Sequence, residues 1–216
     1  MRKYFLGLVY MVLLVPAFSG SAAAAGYYVG ILGGVGFLPE AEATDAGGQM
    51  NFSYDTGYDG SITFGFDLGE EYPKIGHGRV EIEFNKAKND YDEVEFVEGK
   101  VRADGSVART SIMLNTIGEY KTESGVIIYA LLGLGWARIS LDNVTIMGDP
   151  FVNDSDDQLA YQAGVGLTWQ FSRHFFFDVS YRYYGTTDPK FTEQDGAGLD
   201  YKYSSNRVLA GFRLQF

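Results

Sequence analysis

An apolar/polar alternation of period two limits this chain more than any other feature, and it is cleanest at the C-terminal end. From Arg207 to Phe216, one face of an extended segment carries Val208, Ala210, Phe212, Leu214 and Phe216, and the other carries Leu209, Gly211, Arg213 and Gln215. Phe175, Phe177, Val179, Tyr181 and Tyr183 oppose Phe176, Asp178, Ser180, Arg182 and Tyr184 in the same way. Tyr161, Ala163, Val165, Leu167, Trp169 and Phe171 oppose Gln162, Gly164, Gly166, Thr168 and Gln170. Apolar residues at i, i+3, i+4 and i+7 do not recur after the opening segment, so helices are not expected there.

Five further strands are predicted at about 126–139, 107–120, 78–88, 58–67 and 27–38. In the first strand Tyr27, Val29, Ile31, Val35 and Phe37 face one way, and Tyr28, Gly30, Leu32, Gly34 and Gly36 the other. At 126–139 both faces are apolar, and Ala130, Leu132, Leu134 and Trp136 are taken as outward. The connections alternate in length. Short turns are expected at about 68–76, at Lys121–Gly125 and at Ser172–His174; long polar loops are expected at about 39–57, 89–106, 140–158 and 188–203.

In hydrocarbon every backbone N–H and C=O must pair within the protein, so strands survive there only in a sheet that closes on itself. Each predicted strand reaches the roughly 9–11 residues of a tilted crossing. Eight such strands, with both ends on the periplasmic side, give an all-β, antiparallel, up-and-down transmembrane barrel. A soluble lipocalin-like barrel would use the same alternation with the apolar face inside. The placement of Tyr27, Phe37, Tyr120, Trp136, Trp169, Phe171, Phe175 and Phe216 near strand ends argues for interfacial girdles instead.

Residues 1–25 read as a cleaved signal peptide. Arg2 and Lys3 precede an apolar stretch from Phe5 to Phe18, and Ser21–Ala25 supplies small residues for cleavage after Ala25. The apolar run is shorter than the ~20 residues of a spanning helix. The domain expected is therefore 26–216, exported by a Sec-type route to the outer membrane. Loss of Arg2 and Lys3 takes the formal charge from −11 to −13, which disfavours nucleic acid as a partner. The chain has no cysteine, which removes disulfides and thiolate metal sites.

Tyr161-Gln-Ala-Gly-Val-Gly166, Phe175-Phe-Phe-Asp178 and Tyr181-Arg-Tyr-Tyr-Gly185 resemble the sixth and seventh strands of opacity and surface-antigen type outer-membrane barrels, which are related to the OmpA transmembrane domain. Gly26-Tyr-Tyr-Val-Gly30 resembles that family's opening strand. The closing Val208–Phe216, with Phe212, Leu214 and Phe216, resembles the terminal signal read by the barrel-assembly machinery. The resemblance implies an eight-stranded barrel with variable external loops and no cofactor, and it does not imply a biochemical activity. Its members serve as adhesins, antigens or structural proteins, so the partners expected are outer-membrane lipid, the assembly machinery and an extracellular or host ligand held by the loops. A monomer is expected, and a narrow channel for ions or small solutes is the alternative function.

Inward polar residues are the candidate site. Glu81 and Glu83, then Arg109, Asn115 and Glu119, then Asp178 and Arg182, and finally Arg213 should all enter a lumen too narrow for an open pore. Asp178 and Arg213 should meet, and Arg182 should lie level with Glu81, Glu83 and Asn115. A plug of ion pairs is expected rather than a path. His77 and His174 fall at periplasmic turns, away from external substrates, so no catalytic residue is assigned. The acidic run from Asp149 to Asp157 lacks EF-hand spacing, and no metal ligand is assigned. Gly30, Gly33, Gly34 and Gly36 do not form GxGxxG; close packing inside the barrel accounts for them better. Tyr91, Phe96, Phe151, Phe191 and Tyr201 are loop aromatics that could touch a partner.

Overall fold

A computed structural model describes residues 26–45, 48–68, 77–96 and 99–216. The signal segment 1–25, with its cleavage after Ala25, and nearly all of the turn expected at 68–76 lie outside the described residues. Among the described residues twelve strands follow one another: β1 Gly26–Phe37, β2 Ala41–Asp45, β3 Gly48–Tyr54, β4 Gly57–Asp67, β5 His77–Phe96, β6 Gly99–Lys121, β7 Val126–Ile146, β8 Asp149–Gln170, β9 Phe175–Thr186, β10 Lys190–Thr192, β11 Gly198–Tyr201 and β12 Ser204–Gln215.

Eight of them close a ring in the order β1-β4-β5-β6-β7-β8-β9-β12, every neighbour antiparallel. Closure is made at β1, where Ile31 stands opposite Ile62 of β4 on one side and Phe212 of β12 on the other. The ring leaves no free edge, which is the condition for strands in hydrocarbon. Its outer face carries Ile31, Leu132, Leu134, Val165 and Phe212, all exposed. The eight girdle aromatics named from sequence are exposed as well. On β7, Ala130, Leu132, Leu134 and Trp136 face outward while Ile127, Tyr129 and Leu131 are buried.

The strand lengths differ from the expectation. The long polar loops expected at 89–106 and 140–158 are strand almost throughout, because β5, β6, β7 and β8 run on past the apolar band. The stretch 39–57 holds the β2/β3 pair and 188–203 the β10/β11 pair. These pieces build a second storey: β10, β11, β2, β3 and β5 pair in succession. On its far side β8 meets the residue that follows β10, through an isolated Val152–Glu193 bridge.

The two storeys are inside-out relative to each other. Below, apolar side chains face lipid and polar ones fill the centre. Above, charges face water and the centre is dry, with Phe52, Val94, Ile139, Leu141, Val144, Val152, Phe191, Leu199 and Tyr201 in one cluster. What surrounds each storey decides which face must be apolar.

Tyrosine rings pack against glycines inside the lower ring. Tyr129 lies where a Cβ on Gly166 would sit, and Tyr28 does the same at Gly65. Gly166→Ala should therefore cost about 1–3 kcal/mol through overpacking, read as a lower urea midpoint, while Gly118→Ala, with open space around it, should not. Gly33 departs from the expectation of close interior packing: nothing lies within 4 Å of its would-be Cβ, and it sits on the outer face opposite Gly60.

Candidate functional site

Among the described residues the lower storey encloses ten buried charges. Asp59, Glu81, Glu83, Glu119 and Asp178 face Arg79, Arg109, Arg182, Arg207 and Arg213. Strand parity puts them there, since alternate residues of β4, β5, β6, β9 and β12 point to the centre. Burying an unpaired charge is costly, and pairing with full hydrogen bonding offsets that cost.

The upper tier centres on Asp59 and Glu83. Arg109 Nη2 donates to Asp59 Oδ2 at 2.6 Å, and Arg207 clasps both oxygens of Asp59 through Nε and Nη2 at 2.8 Å each. Arg182 Nη1 donates to Glu83 Oε2 at 2.8 Å, and Arg207 Nη2 to Glu83 Oε1 at 3.1 Å. Asn115 Nδ2 spans Glu81 Oε1 at 3.1 Å and Glu83 Oε2 at 2.9 Å. Gln162 donates to Glu83 at 2.9 Å and accepts from Arg207 at 2.8 Å. Arg109 also stacks on the Tyr184 ring, 3.9 Å from its centroid.

The lower tier is looser. Arg79 Nε lies 2.6 Å from Glu119 Oε1, and Arg213 Nε lies 3.5 Å from Asp178 Oδ2. Tyr28 donates to Glu81 Oε2 at 2.8 Å, and Thr168 donates to Asp178. Between the tiers is a cavity of about 10 Å³, lined by Thr63, Arg79, Glu81, Asp178, Arg182 and Arg213, with room for about one water.

All eight residues named from sequence lie in this interior, and Arg182 does sit beside Glu83. Asp178 and Arg213 approach each other, but Arg79 shares Asp178 at 3.6 Å. Sequence reasoning missed Asp59, Arg79 and Arg207, together with Tyr28, Gln162 and Asn85. The signal was available in the alternation: Asp59 shares its face with Ser61 and Thr63, and Arg207 shares the Leu209/Arg213 face. Phe212, Leu214 and Phe216, named for assembly, all point outward.

The loop aromatics are corrected. Tyr91, Phe191 and Tyr201 are buried in the dry upper core, and Phe96 and Phe151 pack against it. Fewer than one tenth of Tyr91 is accessible, so it offers a partner little surface. Tyr54 and Tyr201 share a hydrogen bond through their hydroxyls. Burial holds the hydroxyls of Tyr54, Tyr91 and Tyr201 well above the usual tyrosine range, so they stay neutral donors.

The acidic run on β8 has structural partners. Asp156 Oδ2 accepts from the main-chain N–H of Lys190, and Asp154 Oδ2 from that of Thr192, each at 2.9 Å. These carboxylates act as a side-chain ladder where β8 meets β10. Asp157 is held instead by Arg138 at 2.6 and 2.8 Å. His174 is exposed in the β8–β9 turn, its carbonyl accepting from Gln215 at 2.8 Å.

Residues 8–216 match the family model described as the outer membrane protein beta-barrel domain. The chain is similar to the outer membrane protein PagN of Salmonella typhimurium, 22% identical over 174 residues that cover 74% of this chain and 73% of that protein. Among solved structures it resembles OprG of Pseudomonas aeruginosa, with a TM-score of 0.58, 15% identity, and coverage of 89% of this chain and 96% of the other. Neisserial surface protein A gives a TM-score of 0.51 at 17% identity, covering 88% and 97%.

Proposed function

The chain belongs to the outer membrane β-barrel family and is a bacterial outer-membrane protein; from that premise we propose that it is a closed, non-catalytic surface protein that works through its external storey. One observation carries this reading. The lumen is filled at two heights, by the ten-charge network and by the apolar cluster above it. A solute would have to break buried ion pairs and then cross a dry core, and each step opposes conduction. What remains for function is the charged outer surface of β2, β3, β10, β11 and the extended ends of β5–β8, held rigid from within.

In this reading residues 1–25 direct export and are removed after Ala25. Phe212, Leu214 and Phe216 present the terminal signal to the assembly machinery, and the eight interior residues first named serve as part of the plug. The chain acts as a monomer, and a ligand outside the cell meets the external storey.

Purified protein in planar bilayers should give no reproducible openings, and Glu83→Ala should add only irregular leak. Steady unitary conductance from the unaltered protein would overturn the closed-lumen reading. Cells displaying the protein should lose binding to the partner when residues 190–201 are excised, with barrel folding retained on heat-modifiable gels.

A further inference from the structure

Three phenols meet in the external storey. Tyr54 of β3 and Tyr91 of β5 stand opposite each other in the strand pairing, and their rings touch, with centroids 5.0 Å apart and planes tilted by 44°. The third is Tyr201 of β11, whose hydroxyl shares a hydrogen bond with that of Tyr54, and the Tyr91 hydroxyl engages both. Each hydroxyl can thus donate to one neighbour and accept from the other. Phenylalanine would fill the same space without polar groups to satisfy.

Burial differs among the three. Tyr91 and Tyr201 are buried, whereas Tyr54 is only partly so. A small molecule in the medium can therefore reach one ring of the pair, and the other lies against it. Two more tyrosine pairs are in ring contact among the described residues, and both are wider. Tyr161 and Tyr183 lie 6.3 Å apart on the lipid-facing wall, and Tyr184 and Tyr203 lie 6.4 Å apart and nearly perpendicular, at 83°. Tyr54 and Tyr91 thus combine close rings, a partly open face and a hydroxyl partner able to accept a departing proton.

We propose that Tyr54 and Tyr91 form an oxidative cross-linking site, at which a small one-electron oxidant from the medium joins the two rings and staples β3 to β5. Each phenol loses an electron to one oxidant molecule and a proton, by way of its hydroxyl partner, to water. The two phenoxyl radicals then form a carbon–carbon bond between ring positions next to the hydroxyls, and the hydrogens on those carbons move to the oxygens. Two oxidant molecules are each reduced by one electron, two protons are released, and both hydroxyls are restored. The product ties the β2/β3 pair covalently to the long wall strand β5. A chain without cysteine cannot get such a tie from a disulfide.

The test exposes the full barrel in detergent to the azide radical made by pulse radiolysis, an uncharged one-electron oxidant that a chain of net charge −11 does not repel. Dityrosine fluorescence should appear in the monomer, and peptide mapping should find Tyr54 joined to Tyr91 in a product lighter than its two parts by the two hydrogens lost. Tyr54→Phe and Tyr91→Phe should each lose that signal, while Tyr183→Phe, from the wider pair on the lipid face, should keep it in full. Heat-modifiable migration should be the same for all four proteins. The unaltered chain unfolded in urea should give scattered products instead, because the fold sets the pair. In urea just below the unfolding midpoint, protease should cut the oxidised protein between residues 39 and 57 more slowly than the unoxidised one. Cross-links mapped to other tyrosines, an undiminished signal in Tyr91→Phe, or equal cutting with the Tyr54–Tyr91 link in place would each overturn the assignment.

Discussion

Asp59→Ala is expected to lower the unfolding free energy by about 3–5 kcal/mol, the range for removing one member of a buried charge cluster. The carboxylate accepts from Arg109 at 2.6 Å, twice from Arg207 at 2.8 Å, and from Asn85 at 2.6 Å. Its removal leaves two guanidinium groups, both inaccessible to solvent, short of their main countercharge. The measurement is urea unfolding in micelles, followed by the shift between folded and unfolded bands on unheated gels. Asp157→Ala is the contrast, since its pair with Arg138 is more than half exposed, and about 1 kcal/mol or less is expected there. Asp59→Asn keeps the shape and loses the charge. If it were as stable as the unaltered protein, hydrogen bonding rather than charge would hold this tier.

Phe52→Ala should cost about 3–5 kcal/mol in the external storey, as deleting a buried aromatic does. Phe52 of β3 is almost wholly buried and packs against Tyr91, Phe151 and Tyr201, with ring centroids 5.2, 6.4 and 6.4 Å away. The loss should be local. The lower ring has its own closed ladder and its own polar core, so the variant should still insert and still show the folded gel band. Protease on intact cells should cut it between residues 39 and 57 far faster than the unaltered protein. Unchanged cleavage would mean that β2 and β3 are held from elsewhere, and a lost folded band would mean that the two storeys fold as one unit.

The eight-stranded ring was legible because lipid on one side and a narrow lumen on the other leave a strict alternation in sequence. The upper storey was not, and bulges explain why. On β5 the register shifts between Asp90 and Glu93, so the inward set changes from Ala87, Asn89 and Tyr91 to Val94. On β7 it shifts between Leu141 and Val144, and the inward set passes from Ile139 and Leu141 to Val144. A one-residue insertion reverses parity. Period two then fades although the strand continues, and charged outward residues such as Asp92, Glu95 and Asp142 make the segment read as loop.

The interior site was legible to the extent that parity was followed. Arg182 and Arg213 stood out because their strands were unambiguous. Asp59 and Arg207 sit near strand starts, where turn residues blur the phase, so the alternation alone singles out neither. That Arg207 would reach Asp59 across 148 residues of chain needs ring closure, which no local pattern encodes.

The last strand brings two of the five buried arginines, Arg207 and Arg213, and both find acids on strands made earlier in the chain. Until β12 docks, five carboxylates face only three guanidiniums within the unfinished sheet, and that surplus negative charge resists leaving water. Sealing the cylinder and neutralising its contents are thus one event, and a chain stalled one strand short would remain electrically unfit for the bilayer.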